Sequence, residues 1–130
     1  MVCLDSDVLI NFLRKDKKTI SLFEKLKSEN RNLTTTSINS FELLKGIPQS
    51  SNMDKAKVLD FLNNFEIYNF ELECSKKAAE IFEDLKSKGD LIDLADIMIA
   101  SVAITNKETL ITANLSHFRR IKGLKIEELG

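Results

Sequence analysis

Residues 2–13 read Val2-Cys-Leu-Asp5-Ser6-Asp-Val-Leu-Ile-Asn-Phe-Leu13, and this stretch decides the fold class. Its first part, residues 2–5, is a short apolar run that ends in an acid, a pattern typical of a buried strand. Its second part, residues 6–14, places apolar side chains at helical spacing behind a serine, a common helix cap. A buried strand that runs directly into an amphipathic helix favours an α/β domain.

Short apolar runs and longer periodic segments alternate along the rest of the chain. The pattern predicts strands at residues 2–5, 33–36, 65–70, 109–113 and 124–126. It predicts helices at residues 6–14, 18–28, 38–46, 53–64, 72–88 and 93–106, with a short helical turn near 115–120. Gly46 with Pro48, and Gly89, are expected to end two helices, and residues 49–52 to form a loop. Helix 93–106 is the most apolar segment and should lie at the centre of the fold.

Length and composition indicate one soluble domain over residues 1–130, with 43% hydrophobic and 30% charged residues. Neither a membrane span nor a signal peptide is visible, so we expect a cytoplasmic protein. Cys3 and Cys74 lack metal-binding spacing, and Cys3, which lies in an apolar run, is expected to be a buried, reduced thiol. The 19 basic and 20 acidic residues give a net charge of −1, which excludes a domain that is basic throughout. Contact with nucleic acid would therefore depend on a local patch or a metal.

Acidic residues at the ends of predicted elements are the first clue to function. Asp5 closes the first strand, and open parallel sheets bind ligands beyond the carboxyl ends of their strands. Capping of the next helix by Asp5 or Ser6 is an equally good interpretation. Glu42 lies among apolar residues one turn into its helix, although a pairing with Lys45 is the simpler interpretation there.

Asp93 and Asp96 lie three residues apart, on one helix face, directly before the most apolar helix. They could form a capping-box-like helix start, which is a structural use. However, an apolar Ile-Met-Ile-Ala run follows Asp96, and an unpaired carboxylate there is costly unless a cation or strong donors meet it. Carboxylates that converge from a strand end and two helix starts make an all-oxygen site suited to Mg²⁺. Such an ion can activate water for phosphodiester hydrolysis, whereas no cluster of His and Cys supports zinc.

Four blocks of sequence, in order and covering nearly the whole chain, carry a family resemblance. They lie at residues 2–10, 36–46, 89–100 and 110–124, and contain Leu-Asp5-Ser6, Phe-Glu42-Leu-Leu-Lys-Gly46, Asp93-Leu-Ala-Asp96-Ile-Met-Ile-Ala and Thr112-Ala-Asn114-Leu-Ser-His117-Phe. Together they resemble the PIN-domain ribonucleases, and most of all the VapC toxins of prokaryotic toxin–antitoxin pairs. The resemblance implies a single PIN domain, a three-layer sandwich with a central five-stranded parallel sheet flanked by about seven helices.

The resemblance also implies roles for particular residues. It places the catalytic and metal-binding acids at Asp5, Glu42 and Asp96, and a further metal-binding acid at Asp93. Supporting polar residues are expected at Ser6, Ser37, Asn114 and His117. The family's fourth acidic position falls in the segment that holds Asn114 and His117, neither of which is a carboxylate, so a second tightly held metal is in doubt. The implied cofactor is Mg²⁺, with Mn²⁺ as a substitute, and the implied partners are an RNA substrate, a second copy in a homodimer and a VapB-like antitoxin.

Basic and apolar residues suggest where partners bind. Arg119 and Arg120 follow the fourth block directly and are expected to contact RNA phosphates, whereas Lys17 and Lys18 are more typical of a solvated face. For His117, a local hydrogen bond is a simpler interpretation than catalysis. Helices at 6–28 and 53–64 carry more apolar residues than a small core needs, which predicts a homodimer or antitoxin contact there.

These observations predict a metal-dependent endoribonuclease that cleaves RNA phosphodiester bonds, as the toxin of a VapBC-type pair. One alternative is a degenerate PIN-like domain that binds RNA or protein without cutting. Another is a haloacid-dehalogenase-like phosphatase, because Asp5-Ser-Asp7 after a strand imitates the start of that family. Leu9 stands where that family needs Thr or Val, which argues against the phosphatase.

Overall fold

Five parallel strands form one sheet in the computed structural model, which describes residues 1–47 and 54–128. The strands are β1 Val2–Leu4, β2 Leu33–Thr36, β3 Glu66–Tyr68, β4 Thr109–Thr112 and β5 Lys125–Glu128. In the described ranges the helices are α1 Ser6–Leu13, α2 Lys17–Ser28, α3 Ser37–Lys45, α4 Lys55–Leu62, α5 Leu72–Ser87, α6 Leu94–Thr105 and α7 Leu115–Phe118. The strand order is β3-β2-β1-β4-β5, so the predicted five-stranded parallel sheet is confirmed.

The sheet separates two hydrophobic clusters, because side chains alternate between its faces. Val2 and Leu4 of β1 pack with residues of α1, α2, α3 and α4 on one face. Cys3, which lies between them, packs with α5, α6 and α7 on the other face. This arrangement is the predicted three-layer sandwich.

Helix α6 is the most deeply buried helix, as its apolar sequence predicts. Six of its residues are buried, and it packs along α5: Ile97, Ile99, Ala100, Ser101, Val102 and Ala103. Cys3 is a free, buried thiol, as expected, and Cys74 is also free and buried. In the part of the chain that the structure describes, no helix is long and apolar enough to cross a membrane.

Helix ends follow local capping chemistry. Asp16 and Thr36 each accept a backbone N–H at the start of the following helix. Gly89 has φ +65°, as expected of a glycine that ends a helix. Gly46 ends α3 as expected, and its φ of −76° shows that the chain leaves this helix in right-handed geometry.

The edge strands differ from their predicted bounds. The last strand, predicted at 124–126, extends from Lys125 to Glu128, because backbone pairing with β4 holds this polar edge strand without an apolar pattern. The third strand is shorter than the predicted 65–70, since Phe65 packs into the core before the strand begins. Pro48, Met53 and the predicted loop at 49–52 lie outside the described residues.

Candidate active site

The candidate site lies where the sheet changes winding direction. The chain runs from β1 to β2 on one side of the sheet and later crosses to β4 on the other side. Side chains at the carboxyl ends of the neighbouring strands β1 and β4 therefore border the crevice in which open α/β sheets bind ligands. Asp5 and Thr112 meet there, with Thr112 Oγ1 donating to Asp5 Oδ2 at 2.7 Å.

Asp5 is a buried carboxylate surrounded by neutral donors. Asp5 is only 6% exposed. Its Oδ1 accepts hydrogen bonds from the backbone N–H of Ser6 at 2.8 Å and from the side-chain amide of Asn39 at 3.0 Å. Burial raises the pKa of Asp5 from 3.8 to about 7, and the charge of Asp7 adds to this, while hydrogen bonds from Thr112 and Ser6 oppose it. Within residues 1–47 and 54–128, no Lys or Arg side chain pairs with Asp5. The bond from Ser6 also shows that Asp5 caps α1, so the structural and the functional interpretation are compatible.

Ser6 and Asn39 join Asp5 to Glu42. The Asn39 amide also donates to Ser6 Oγ at 2.8 Å, and Ser6 Oγ donates to Glu42 Oε1 at 2.8 Å. Asn39 is itself fixed by Thr36, whose hydroxyl donates to its Oδ1 at 2.7 Å. This chain of hydrogen bonds orients two of the predicted acids. Glu42 accepts from Ser6 and does not pair with Lys45, so the simpler interpretation of Glu42 is wrong.

Asp7 is an acid that the sequence reasoning did not place in the site. Its Oδ2 accepts the backbone N–H of Ala113 at 3.1 Å, while its buried Oδ1 has no hydrogen-bond partner among the described residues. Burial raises the pKa of Asp7, and the charge of Asp96 also raises it. The only available signal was its place in the first turn of α1, two residues after Asp5.

Asp93, Asp96 and His117 form the second half of the site. One potential ligand atom from each lies within 4.8 Å of the other two. Asp96 Oδ2 is 2.8 Å from His117 Nδ1, and Asn114 Nδ2 is 2.9 Å from the same ring atom. Asp93 is the N-cap residue of α6 but makes no side-chain capping bond, so the capping-box interpretation is wrong. The local hydrogen bond expected of His117 is present.

Electrostatics connects the two halves of the site. The charge of Asp96 contributes to the raised pKa of Asp5 and also to that of Asp7. Across the described residues, no Lys or Arg side chain forms an ion pair with any of these three acids or with Glu42. Among the described residues the site is therefore a concentration of negative charge that no Lys or Arg side chain balances, a setting suited to a divalent ion.

The remaining predicted residues lie outside this hydrogen-bonded cluster. Ser37 opens α3 and makes no side-chain hydrogen bond within residues 1–47 and 54–128, whereas its neighbour Thr36 caps the helix. Arg119 is exposed at the end of α7. Arg120 pairs with Asp90 at 3.2 Å and also approaches the Leu91 carbonyl, so it steadies the segment before α6.

The family assignment comes from comparison with known proteins. The PIN domain family matches residues 2–124. Ribonuclease VapC2 of Rickettsia felis is 30% identical over 126 residues, covering 95% of this chain and 94% of that protein. Ribonuclease VapC1 of Methanocaldococcus jannaschii is 32% identical over 127 residues, covering 96% of this chain and 85% of that protein. The crystal structure of VapBC2 from Rickettsia felis, bound to a DNA fragment from its promoter, has a TM-score of 0.88 at 29% identity over 100% of both chains. The chain therefore belongs to the PIN-domain family and is similar to its VapC members.

Proposed function

We propose that this protein is a divalent-metal-dependent endoribonuclease, the toxin of a VapBC-type toxin–antitoxin pair, acting in the cytoplasm. The observation that carries the proposal is the buried Asp5 carboxylate, held by neutral donors and surrounded by the charges of Asp7 and Asp96. Membership of the PIN-domain family and similarity to ribonucleases of the VapC type support the reaction class.

The residues present fit Mg²⁺ or Mn²⁺. Asp5, Glu42 and Asp96 offer the oxygen ligands that such ions prefer, with Asp93 as a further acid. The buried Asp7 Oδ1, which has no hydrogen-bond partner among the described residues, supports this fit, because a cation could meet it. When bound, the ion would activate the attacking water and offset charge on the phosphate.

The chain's own residues hold this site in shape before any ligand arrives. Asn39 fixes both Asp5 and Ser6, and Ser6 in turn fixes Glu42, so these acids need little reorganisation to bind a cation. The net charge of −1 means that RNA gains little from overall attraction. Arg119, which is exposed two residues after His117, and Arg120, whose pair with Asp90 is itself exposed, would position the phosphate backbone.

Cleavage of RNA tests the proposed function. We expect the purified protein to cut structured RNA in the presence of Mg²⁺. Cleavage should stop when a chelator removes the metal and resume when Mg²⁺ or Mn²⁺ is added back. Asp96→Asn should lower the rate by about 10² to 10³, because it removes a charged oxygen from the site. The matched control is Asp60→Asn, which makes the same charge change on the exposed face of α4. Equal cleavage by wild type and both variants would refute the proposal.

An apolar groove gives the antitoxin a candidate binding surface. The groove has a volume of about 470 Å³ and is lined by Phe12, Ile20, Phe23, Glu24, Lys27, Arg31 and Leu33. It lies in the region of α1 and α2 where the sequence predicts a partner. Similarity to a VapBC complex supports a VapB-like antitoxin as its occupant. The homodimer stays a prediction, which sedimentation of the purified chain at high concentration tests.

Substituting Ile20 with glutamate should weaken antitoxin binding by about tenfold or more, because it places a charge in the apolar groove. The measurement is the dissociation constant for the cognate VapB-like antitoxin. Ala79→Glu puts the same acid on an exposed position of α5, on the opposite face of the sheet, and should leave binding unchanged. Equal affinities for the two variants would place the antitoxin elsewhere.

A further inference from the structure

The spacing of Asp93, Asp96 and His117 suits a shared metal ion. Two ligands of one ion, at bond lengths of about 2.0–2.2 Å, lie roughly 3–4.4 Å apart. The three potential ligand atoms lie within 4.8 Å of one another, and His117 Nδ1 is 2.8 Å from Asp96 Oδ2. Only small movements would therefore bring one oxygen from each acid and the ring nitrogen onto a common ion.

His117 Nδ1 has two polar neighbours and cannot bond both at once. A neutral ring nitrogen either donates one hydrogen bond or accepts one. A lone pair on Nδ1 suits the Asn114 amide 2.9 Å away, but it faces the Asp96 carboxylate with no proton between them. A proton on Nδ1 suits Asp96 but opposes the Asn114 amide. Nδ1 therefore satisfies only one of these neighbours at a time, and its lone pair can turn to a cation that also contacts the Asp96 carboxylate once it no longer accepts from Asn114.

Two further features leave this half of the site open to an ion. Asp93 occupies the N-cap position of α6, where an aspartate usually accepts a backbone N–H, yet it makes no such bond. Its carboxylate is exposed and available. The His117 side chain is 33% exposed and that of Asp96 14%, so an ion can reach both from solvent.

We propose that His117 is a nitrogen ligand of the metal centre, and that it makes the Asp93–Asp96–His117 half of the site prefer first-row transition ions over Mg²⁺. Imidazole is a good ligand for Zn²⁺ and similar ions, whereas Mg²⁺ prefers oxygen. The inference rests on the proposed function, because it assumes that the acids of this site bind metal. A second metal position was in doubt because neither Asn114 nor His117 is a carboxylate. A nitrogen ligand from His117 would supply that position.

The sole histidine makes the test direct. In the tag-free full chain, His117 gives a single set of imidazole NMR signals. Substoichiometric Zn²⁺ should shift these signals, whereas Mg²⁺ at the same ratio should leave them nearly unchanged. By calorimetry, His117→Asn should weaken Zn²⁺ binding about tenfold or more and Mg²⁺ binding much less. His117→Asp, which restores an oxygen ligand, should bind Mg²⁺ more tightly than His117→Asn does.

Ser116→Ala changes an exposed neighbour on α7 and is the matched control, expected to bind both ions as wild type does. Melting curves without metal check that the variants are folded. The inference is overturned if Zn²⁺ leaves the ring signals unmoved, or if His117→Asn weakens both ions equally. RNA cleavage in Mg²⁺ is measured on the same samples. Suppose that wild type cleaves RNA, Asp96→Asn does not, and the ring signals stay unmoved by Zn²⁺: then only this inference fails. If the wild type neither cleaves RNA nor binds metal, the proposed function is contradicted as well.

Discussion

Replacing Asp5 with asparagine should abolish RNA cleavage and make the metal-free protein more stable. The loss of rate should be on the order of 10³, because the substitution removes the most buried charge of the site. The gain in stability follows from the surroundings of Asp5, where burial and the charge of Asp7 both disfavour the ionised carboxylate. A neutral amide of the same shape escapes both costs.

The hydrogen bonds around Asp5 can accept this amide. Its oxygen can still receive the Ser6 N–H and the Asn39 amide, as Asp5 Oδ1 does. Its NH₂ group can donate to Thr112 Oγ1, which at present donates to Asp5 Oδ2. The Thr112 hydroxyl can then turn its hydrogen toward Asp7 Oδ2, 3.5 Å away. One N–H of the new amide has no assigned acceptor among the described residues, but this cost is smaller than that of the buried charge, so we expect the free energy of unfolding to rise by about 1–3 kcal/mol at pH 8.

The gain should depend on pH, with a sign fixed by the pKa of Asp5. Between pH 4 and 7 the folded metal-free protein keeps a proton on Asp5 that the unfolded chain has released, since the pKa rises from 3.8 to about 7 on folding. The contribution of Asp5 to stability therefore falls as pH rises through this window. Urea unfolding in chelator at pH 5 and pH 8 measures the difference between wild type and variant. A variant less stable than wild type at pH 8, or a difference that shrinks with rising pH, would contradict this account.

The sequence located the strand and helix ends that bear the site, because each depends on local patterns. Asp5 is an acid directly after an apolar strand, and Asp96 precedes the most apolar helix, so position alone made them candidates. Family resemblance added Glu42 and the order of the blocks. The two edge strands were less well predicted, because β5 is held by backbone pairing and carries no apolar alternation.

The polar framework of the site could not be found in this way, because its partners are far apart in sequence. The Asn39 bond to Asp5 spans 34 residues, and the Thr112 bond to Asp5 spans 107. Asn39 looks like an ordinary polar residue in the first turn of a helix, and only the folded chain shows that it is fully buried. A hydrogen-bond partner is a three-dimensional property, and the residue pattern of a single sequence gives no signal for it.

Changing Asn39 to aspartate should destabilise the protein by about 3–5 kcal/mol at pH 8 and eliminate cleavage. The substitution preserves shape but removes both N–H donors of the Asn39 amide. An ionised oxygen would then lie about 3.0 Å from Asp5 Oδ1, where the amide nitrogen now lies. Ser6 Oγ would also face two acceptors, the new carboxylate and Glu42, with a single proton to donate.

The pH dependence of this loss separates charge repulsion from a simple packing defect. Two carboxylates in contact relieve their repulsion by sharing a proton, so the folded variant should hold an extra proton that the unfolded chain releases. Its stability should therefore recover substantially between pH 8 and pH 5, whereas a packing defect would cost the same at both values. Asn32→Asp makes the same change at an exposed position before β2 and should alter unfolding by urea very little. If Asn39→Asp unfolded like wild type at pH 8, the Asn39 amide would not be what holds Asp5 and Ser6 in place, and the pre-formed site described above would be wrong.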